Sequence, residues 1–252
     1  MVRRRDRLCC GGKRRGWRSD QPGEQFTYSL IATNNTTDGG NGLPLVLAAI
    51  TVNGHGATIA GNSTRFRIFE IDGASGGSLT LNSVTVSGGK VQGPGGGIFN
   101  REGSLTLNGV LVTGNFSGAG GGGIATGTPD LGPLGEATLN NSEVSWNTST
   151  GGGGGILNHG GTLTVNSSVV DHNTGAGGGG IASGTGTGNT AGGALLTLNK
   201  SVISDNTENG GAFSGGGGVA SPDFFGPGFV TLHHTTVEGN TPDDCFPGGC
   251  SF

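Results

Sequence analysis

The sequence has little with which to build an ordinary hydrophobic core. It holds one methionine, one tyrosine and two tryptophans among 252 residues, and only 12% of its residues are charged. No stretch reaches the 18 or so apolar residues of a membrane-spanning helix. The longest apolar patch, Leu43 to Ile50, is interrupted by Pro44. Basic residues are scarce outside the first twenty positions. That head carries Arg3, Arg4, Arg5, Arg7, Lys13, Arg14, Arg15 and Arg18 against Asp6 and Asp20. Five of the 13 basic and fifteen of the 17 acidic residues are left for the other 232, an excess of ten negative charges. Such a body cannot neutralise a phosphate backbone, so nucleic acid is not expected as a partner.

Cysteines number four, in two pairs. Cys9 and Cys10 lie in the basic head. Cys245 and Cys250 bracket a short Phe-Pro-Gly-Gly loop whose Pro247 and Gly248 allow a tight reversal. We read Cys245 and Cys250 as a disulfide, which favours an oxidising compartment; a pair of free thiols is the alternative. Two cysteines make a poor zinc site, and neither metal nor cofactor is expected.

What the sequence has in excess is glycine, at 58 residues, against a usual share of about 7%. That density means disorder, or a backbone forced repeatedly into conformations other residues avoid. Periodicity decides for the second. A segment Leu-Thr-Leu-Asn-x-x-x-Val-x-x-Asn recurs at 79–89, 105–115, 137–147, 163–173, 196–206 and 230–240, with Gly89 ending the first copy and His233 in the last. Gly-Gly-Gly-Ile precedes most copies at 95–98, 121–124, 153–156 and 178–181, and Gly-Gly-Gly-Val stands at 216–219. The base unit is near 26 residues, lengthened by insertions between the glycine signature and the strand, as at 126–135 and 183–194.

Leu105-Thr106-Leu107 and its counterparts alternate apolar and polar, the mark of a half-buried strand, and glycine at this density forbids a helical repeat. The expected fold is all-β: a right-handed, single-stranded parallel β-helix of about seven or eight coils. Residues 25–252 form the solenoid and 1–24 a basic segment outside it. Leu107, Leu139 and Val165 should be vertical neighbours in the core. Asn82, Asn108, Asn140, Asn166 and Asn199 should form one amide ladder, and Asn115, Asn147, Asn173, Asn206 and Asn240 another. Thr80, Thr106, Thr138, Thr164, Thr197 and Thr231 should make an outward row set by β-propensity.

From about Phe26 onward the chain resembles secreted bacterial right-handed β-helix repeat proteins of the pectin-lyase-like class. The residues that carry this are Asn-Gly-Leu-Pro (41–44), Ile-Thr-Val-Asn-Gly-His-Gly-Ala-Thr-Ile (50–59), Phe-Arg-Ile-Phe (66–69), the glycine signatures and Asn-Thr-Pro-Asp-Asp-Cys (240–245). The alternation of Gly-Gly-Gly-Ile with strand-Asn units is also similar to chlamydial polymorphic outer-membrane proteins, without their autotransporter barrel. The resemblance implies export and exposure at the cell surface, although the chain shows no signal peptide. Residues 1–24 match neither group and point to a misplaced gene start or a fragment.

Enzymes share that fold, and their chemistry requires paired carboxylates, or acids with a basic residue. Gly54-His55-Gly56 is similar to a polygalacturonase segment, but the Asp pair and Arg-x-Lys that accompany it are missing, and His55 is read as a turn residue. Arg65, Arg67, Arg101, Lys90 and Lys200 are the basic groups of the body, and none lies beside an acid cluster on the regular repeats. Position ten of the repeat carries Trp146, His172 and Asp205 in successive coils. His172 could pair with Asp205, with Asp171 beside them, as an acid–base site. Trp146, His172 and Asp205 could instead bind a sugar, Trp146 stacking on its face; the plainer reading, a polar stack on the outer wall, is preferred to both. The reading is therefore a non-catalytic, extracellular or cell-surface scaffold for polysaccharide or another surface. A polysaccharide lyase or glycoside hydrolase, and an inactive gene fragment, are the alternatives.

Overall fold

The computed structural model describes residues 2–4, 26–62, 65–127, 135–184, 194–210, 216–221 and 229–246. Among these the protein is a parallel β-solenoid with one short 3-10 turn, Gly73–Ser75, and no other helix. The expected insertions at 126–135 and 183–194 fall mostly outside the described residues.

Three stacks of strands wrap the rod. The first is a 14-stranded sheet. It begins with long strands, Ala49–Gly61 and Ser78–Ser87. In each later coil this strand divides into a five-residue and a three-residue piece, Ser104–Asn108 and Leu111–Thr113 being the first such pair. A narrow second stack of five strands follows, with Phe116–Ser117 as its type. The third, of seven strands, runs from Phe69–Asp72 to Cys245–Phe246 and contains the Gly-Gly-Gly-Ile isoleucines. Against the seven or eight coils expected from the repeat, the described strands make about six turns, linking seven levels from Ala49–Gly61 to Phe229–His233. Thr27–Leu30 adds a partial level before them, and Val2–Arg4 pairs with it antiparallel. The rest of the expected basic segment lies outside the described residues.

The columns stack as the repeat requires. Leu107 pairs in register with Leu139, and Leu139 with Val165, and all three have no exposed surface. Ile98, Ile124, Ile156 and Ile181 stack in the same way on the third sheet. Thr80, Thr106, Thr138, Thr164, Thr197 and Thr231 are consecutive partners facing outward, and Thr51 extends the row.

Both amide ladders form, and they run in opposite directions. On the outer face Asn82 donates to Asn53, Asn108 to Asn82, Asn140 to Asn108, Asn166 to Asn140 and Asn199 to Asn166, at 2.8–2.9 Å. Inside, Asn115 donates to Asn147, Asn147 to Asn173, Asn173 to Asn206 and Asn206 to Asn240, at 2.9–3.0 Å. The inner ladder ends on Asp244 Oδ1, 2.9 Å from Asn240 Nδ2. Each inner Oδ1 also accepts a main-chain N–H, as Asn173 Oδ1 does from Asn147. That fixes which amide atom points which way. A third ladder was not legible in the repeat: the hydroxyls of Ser142, Ser168, Ser201 and Thr235 accept main-chain N–H groups from the coil before.

Tight corners account for the glycines. A Cβ at Gly122 would collide with the carbonyl oxygens of Gly154 and Thr148, so neighbouring coils touch through bare backbone there.

Candidate functional site

The corner that ends the first-sheet strand in each of six successive coils is left-handed. In chain order it is occupied by Gly88, Gly114, Trp146, His172, Asp205 and Gly239. Trp146, His172 and Asp205 have φ of 57°, 52° and 54°. Glycine suits this region, whereas a side chain there costs about 1 kcal/mol or more. Three successive coils thus accept that cost at one column, and the flanking coils do not.

Position ten was expected to stack, and it does so for its first two members. Trp146 and His172 lie nearly face to face, centroids 4.4 Å apart and planes inclined by 21°. Trp146 is 63% exposed. The His172–Asp205 pairing suggested by the sequence is not formed. His172 Nδ1 instead meets Asp171 Oδ2 of its own coil at 2.8 Å. The reason is local: the corner throws consecutive position-ten side chains outward in parallel, while the last residue of the preceding strand lies directly beside the ring. Asp171 Oδ1 is buried without a hydrogen-bond partner. Asp205 sits one level on, beside Gly239.

This arrangement can do two things. A pinned imidazole with its Nε2 turned away from Asp171 is an oriented base. An exposed indole face held by the ring below it is a stacking shelf. Glu143 adds a carboxylate to the same coil; its Oε1 accepts from buried Ser145 Oγ at 2.7 Å, which draws it toward the corner where Trp146 begins. Among the described residues no group of three or more His, Cys, Asp or Glu side chains could hold a metal ion.

His55 lies in a break of register between Asn53 and Ala57, exposed and at φ 49°, a turn inside a strand. Cys245 lies on the third sheet, but Cys250 is outside the described residues, as are Cys9 and Cys10.

A second charged cluster went unseen in the sequence. Arg67 is fully buried. Its Nη1 donates to Glu70 Oε2 and, at 3.1 Å, to Asn41 Oδ1. Its Nη2 donates to the Asp38 carbonyl at 2.8 Å and its Nε to the Pro94 carbonyl at 3.2 Å. The guanidinium also faces the Phe99 ring at 5.0 Å. Arg101 holds the Asp38 carboxylate at 3.0 Å. Arg67 and Arg101 thus stand beside acids that precede the first copy of the repeat. Burial, followed by a hydrogen bond with Asp38, raises Glu70 above its ordinary range, and Arg67 only partly offsets this. Burial lowers Arg67, with Glu70 and Asp38 pulling the other way, and Asp38 raises Arg101. Glu70 has almost no exposed surface, so the cluster ties the 31–45 loop to the solenoid and offers no open site. The available signal was an Arg and a Glu three apart inside Phe66-Arg-Ile-Phe-Glu-Ile71, an otherwise apolar run.

No known family model, curated protein or solved structure matches the chain.

Proposed function

We propose that this chain is a non-catalytic, extracellular or cell-surface scaffold that binds polysaccharide on the outer wall of its solenoid, with Trp146 as the contact. The observation that carries this reading is the exposed Trp146 indole, kept at a left-handed corner where Gly88, Gly114 and Gly239 stand in other coils. Backbone strain retained for an exposed aromatic directs attention to what that aromatic touches. A sugar ring presents an apolar, slightly positive face of C–H bonds, which suits the negative face of an indole. The acidic body argues against nucleic acid as the partner. The pectin-lyase-like and polymorphic-protein resemblance, export, and a Cys245–Cys250 disulfide belong to the same proposal.

A glycan array with the full chain tests it. The reading requires saccharide binding that Trp146→Ala abolishes, together with no release of reducing ends or unsaturated products from the bound polymers. Turnover removed by His172→Ala would instead favour a carbohydrate-active enzyme, a second reading that rests on the Asp171–His172 hydrogen bond.

A further inference from the structure

We infer that the ligand of the Trp146 shelf is a single neutral pyranose ring seated at the level of Gly114, where it completes the aromatic column from the side opposite His172. This rests on the saccharide reading above and assigns its place and class. The Trp146–His172 centroid separation of 4.4 Å is close to the spacing of about 4.8 Å between paired strands. The stack therefore runs along the rod. His172 covers the face of Trp146 that looks toward the later coils, and the other face looks toward Gly114, its equivalent in the coil before.

That level is open. A Cβ built at Gly114 would meet nothing within 4 Å. The opening is one level deep, because a Cβ at Gly88 would come 2.6 Å from the Gly61 carbonyl oxygen, so backbone closes the next level. A ring stacked on Trp146 would thus occupy the place where a side chain at 114 would otherwise stand.

Polar groups flank this bay on both sides. On the first sheet Thr113 faces outward beside Gly114, and its partner one level on, Ser145, adjoins Trp146 and donates to Glu143 Oε1. Around the corner, Phe116 carries Lys90 with its Nζ 5.4 Å from the ring centroid. The corner holds more acid than base, with Glu143 in the Trp146 coil and Asp171 against His172, and Lys90 on the second stack. A carboxylate accepts strongly from sugar hydroxyls, whereas a uronate would bring its own negative charge toward Glu143. A neutral hexose or pentose unit of a polysaccharide fits both the depth and the charge.

The test uses the full chain in affinity electrophoresis with soluble galactomannan, xylan, mixed-linkage β-glucan and polygalacturonate. At least one neutral polymer should retard the wild type, and polygalacturonate should bind at least tenfold more weakly. Gly114→Phe, which fills the bay, should weaken the neutral polymer at least tenfold, as Trp146→Ala does. Trp146, His172 and Asp205 hold the same backbone conformation, so a side chain at 114 is compatible with the fold. Gly114→Asn, a residue at ease in that conformation, gives a second filled bay if the Phe variant fails to fold. Loss with Trp146→Ala but wild-type retardation with either filled bay would overturn the proposed seat and leave the shelf standing. Polygalacturonate binding as tightly as the neutral polymers would overturn the neutral class. Retardation of the wild type by none of the four, or binding unaffected by Trp146→Ala, would overturn the shelf and the bay together.

Discussion

Trp146 and His172 occupy one corner in successive coils, and their rings stack at 4.4 Å although both residues sit at positive φ. Substitution at 146 should therefore separate side-chain loss from backbone strain. Trp146→Ala removes the stack and keeps a Cβ in the left-handed region, whereas Trp146→Gly removes both. The glycine variant should be more stable than the alanine variant by about 1 kcal/mol, measured as the difference in urea midpoint at constant slope. Equal midpoints would mean that the corner is not strained.

The two amide ladders look alike in the sequence but differ in burial, and this predicts unequal costs. Asn173 is fully buried. Its Nδ2 donates to the Val144 carbonyl and to Asn206, and its Oδ1 receives the main-chain N–H of Asn147. Asn173→Ala strands several buried groups and should cost about 3 kcal/mol or more, at about 1–3 kcal/mol for each buried polar group left without a partner. Asn140 in the outer ladder is half-exposed, so water replaces what Asn140→Ala removes, and the cost should stay below about 1 kcal/mol. Denaturant unfolding of the two variants gives the comparison directly.

Most of the fold was legible because the repeat is long enough to align with itself. Leu107, Leu139 and Val165 could be placed above one another from spacing alone, and so could both Asn columns. Pairing across a corner was not legible. Spacing allows His172 to pair with Asp205, because both fall at position ten. Which neighbour a ring touches depends on how the left-handed corner aims it, and that placed Asp171 beside it instead. The glycines at 88, 114 and 239 already marked position ten as a left-handed site. The Arg67 cluster was hidden for a different reason: Asp38 and Asn41 come from a loop whose path no periodicity describes, so only the odd charges in an apolar strand hinted at it.

His159 gives the solenoid an acid limit. Burial lowers its imidazole below the ordinary 6.5, so the folded chain holds that proton less tightly than the unfolded chain. The resulting stability is present above about pH 6.5 and is lost as pH falls through the depressed folded value. The wild type should lose stability between about pH 7 and 5, and His159→Gln should flatten that slope. A slope that survives the substitution would assign the acid limit to another group.

Glu70 acts with the opposite sign. Its carboxyl is raised above the ordinary 4.5 by burial and by Asp38, so the folded chain binds this proton more tightly than the unfolded chain. That contribution is complete below about pH 4.5 and is lost as pH rises through the folded value. Glu70→Gln keeps a neutral side chain beside Arg67 at every pH. The stability of the wild type relative to this variant should therefore fall as pH rises from about 4 to 8, read from thermal unfolding in matched buffers. The absolute offset depends on how well Gln serves Arg67 with Asn41 and Asp38, so the slope is the diagnostic. A difference that instead grows with pH would mean that the Arg67 guanidinium outweighs burial and holds Glu70 ionised, making the pair an ion pair throughout.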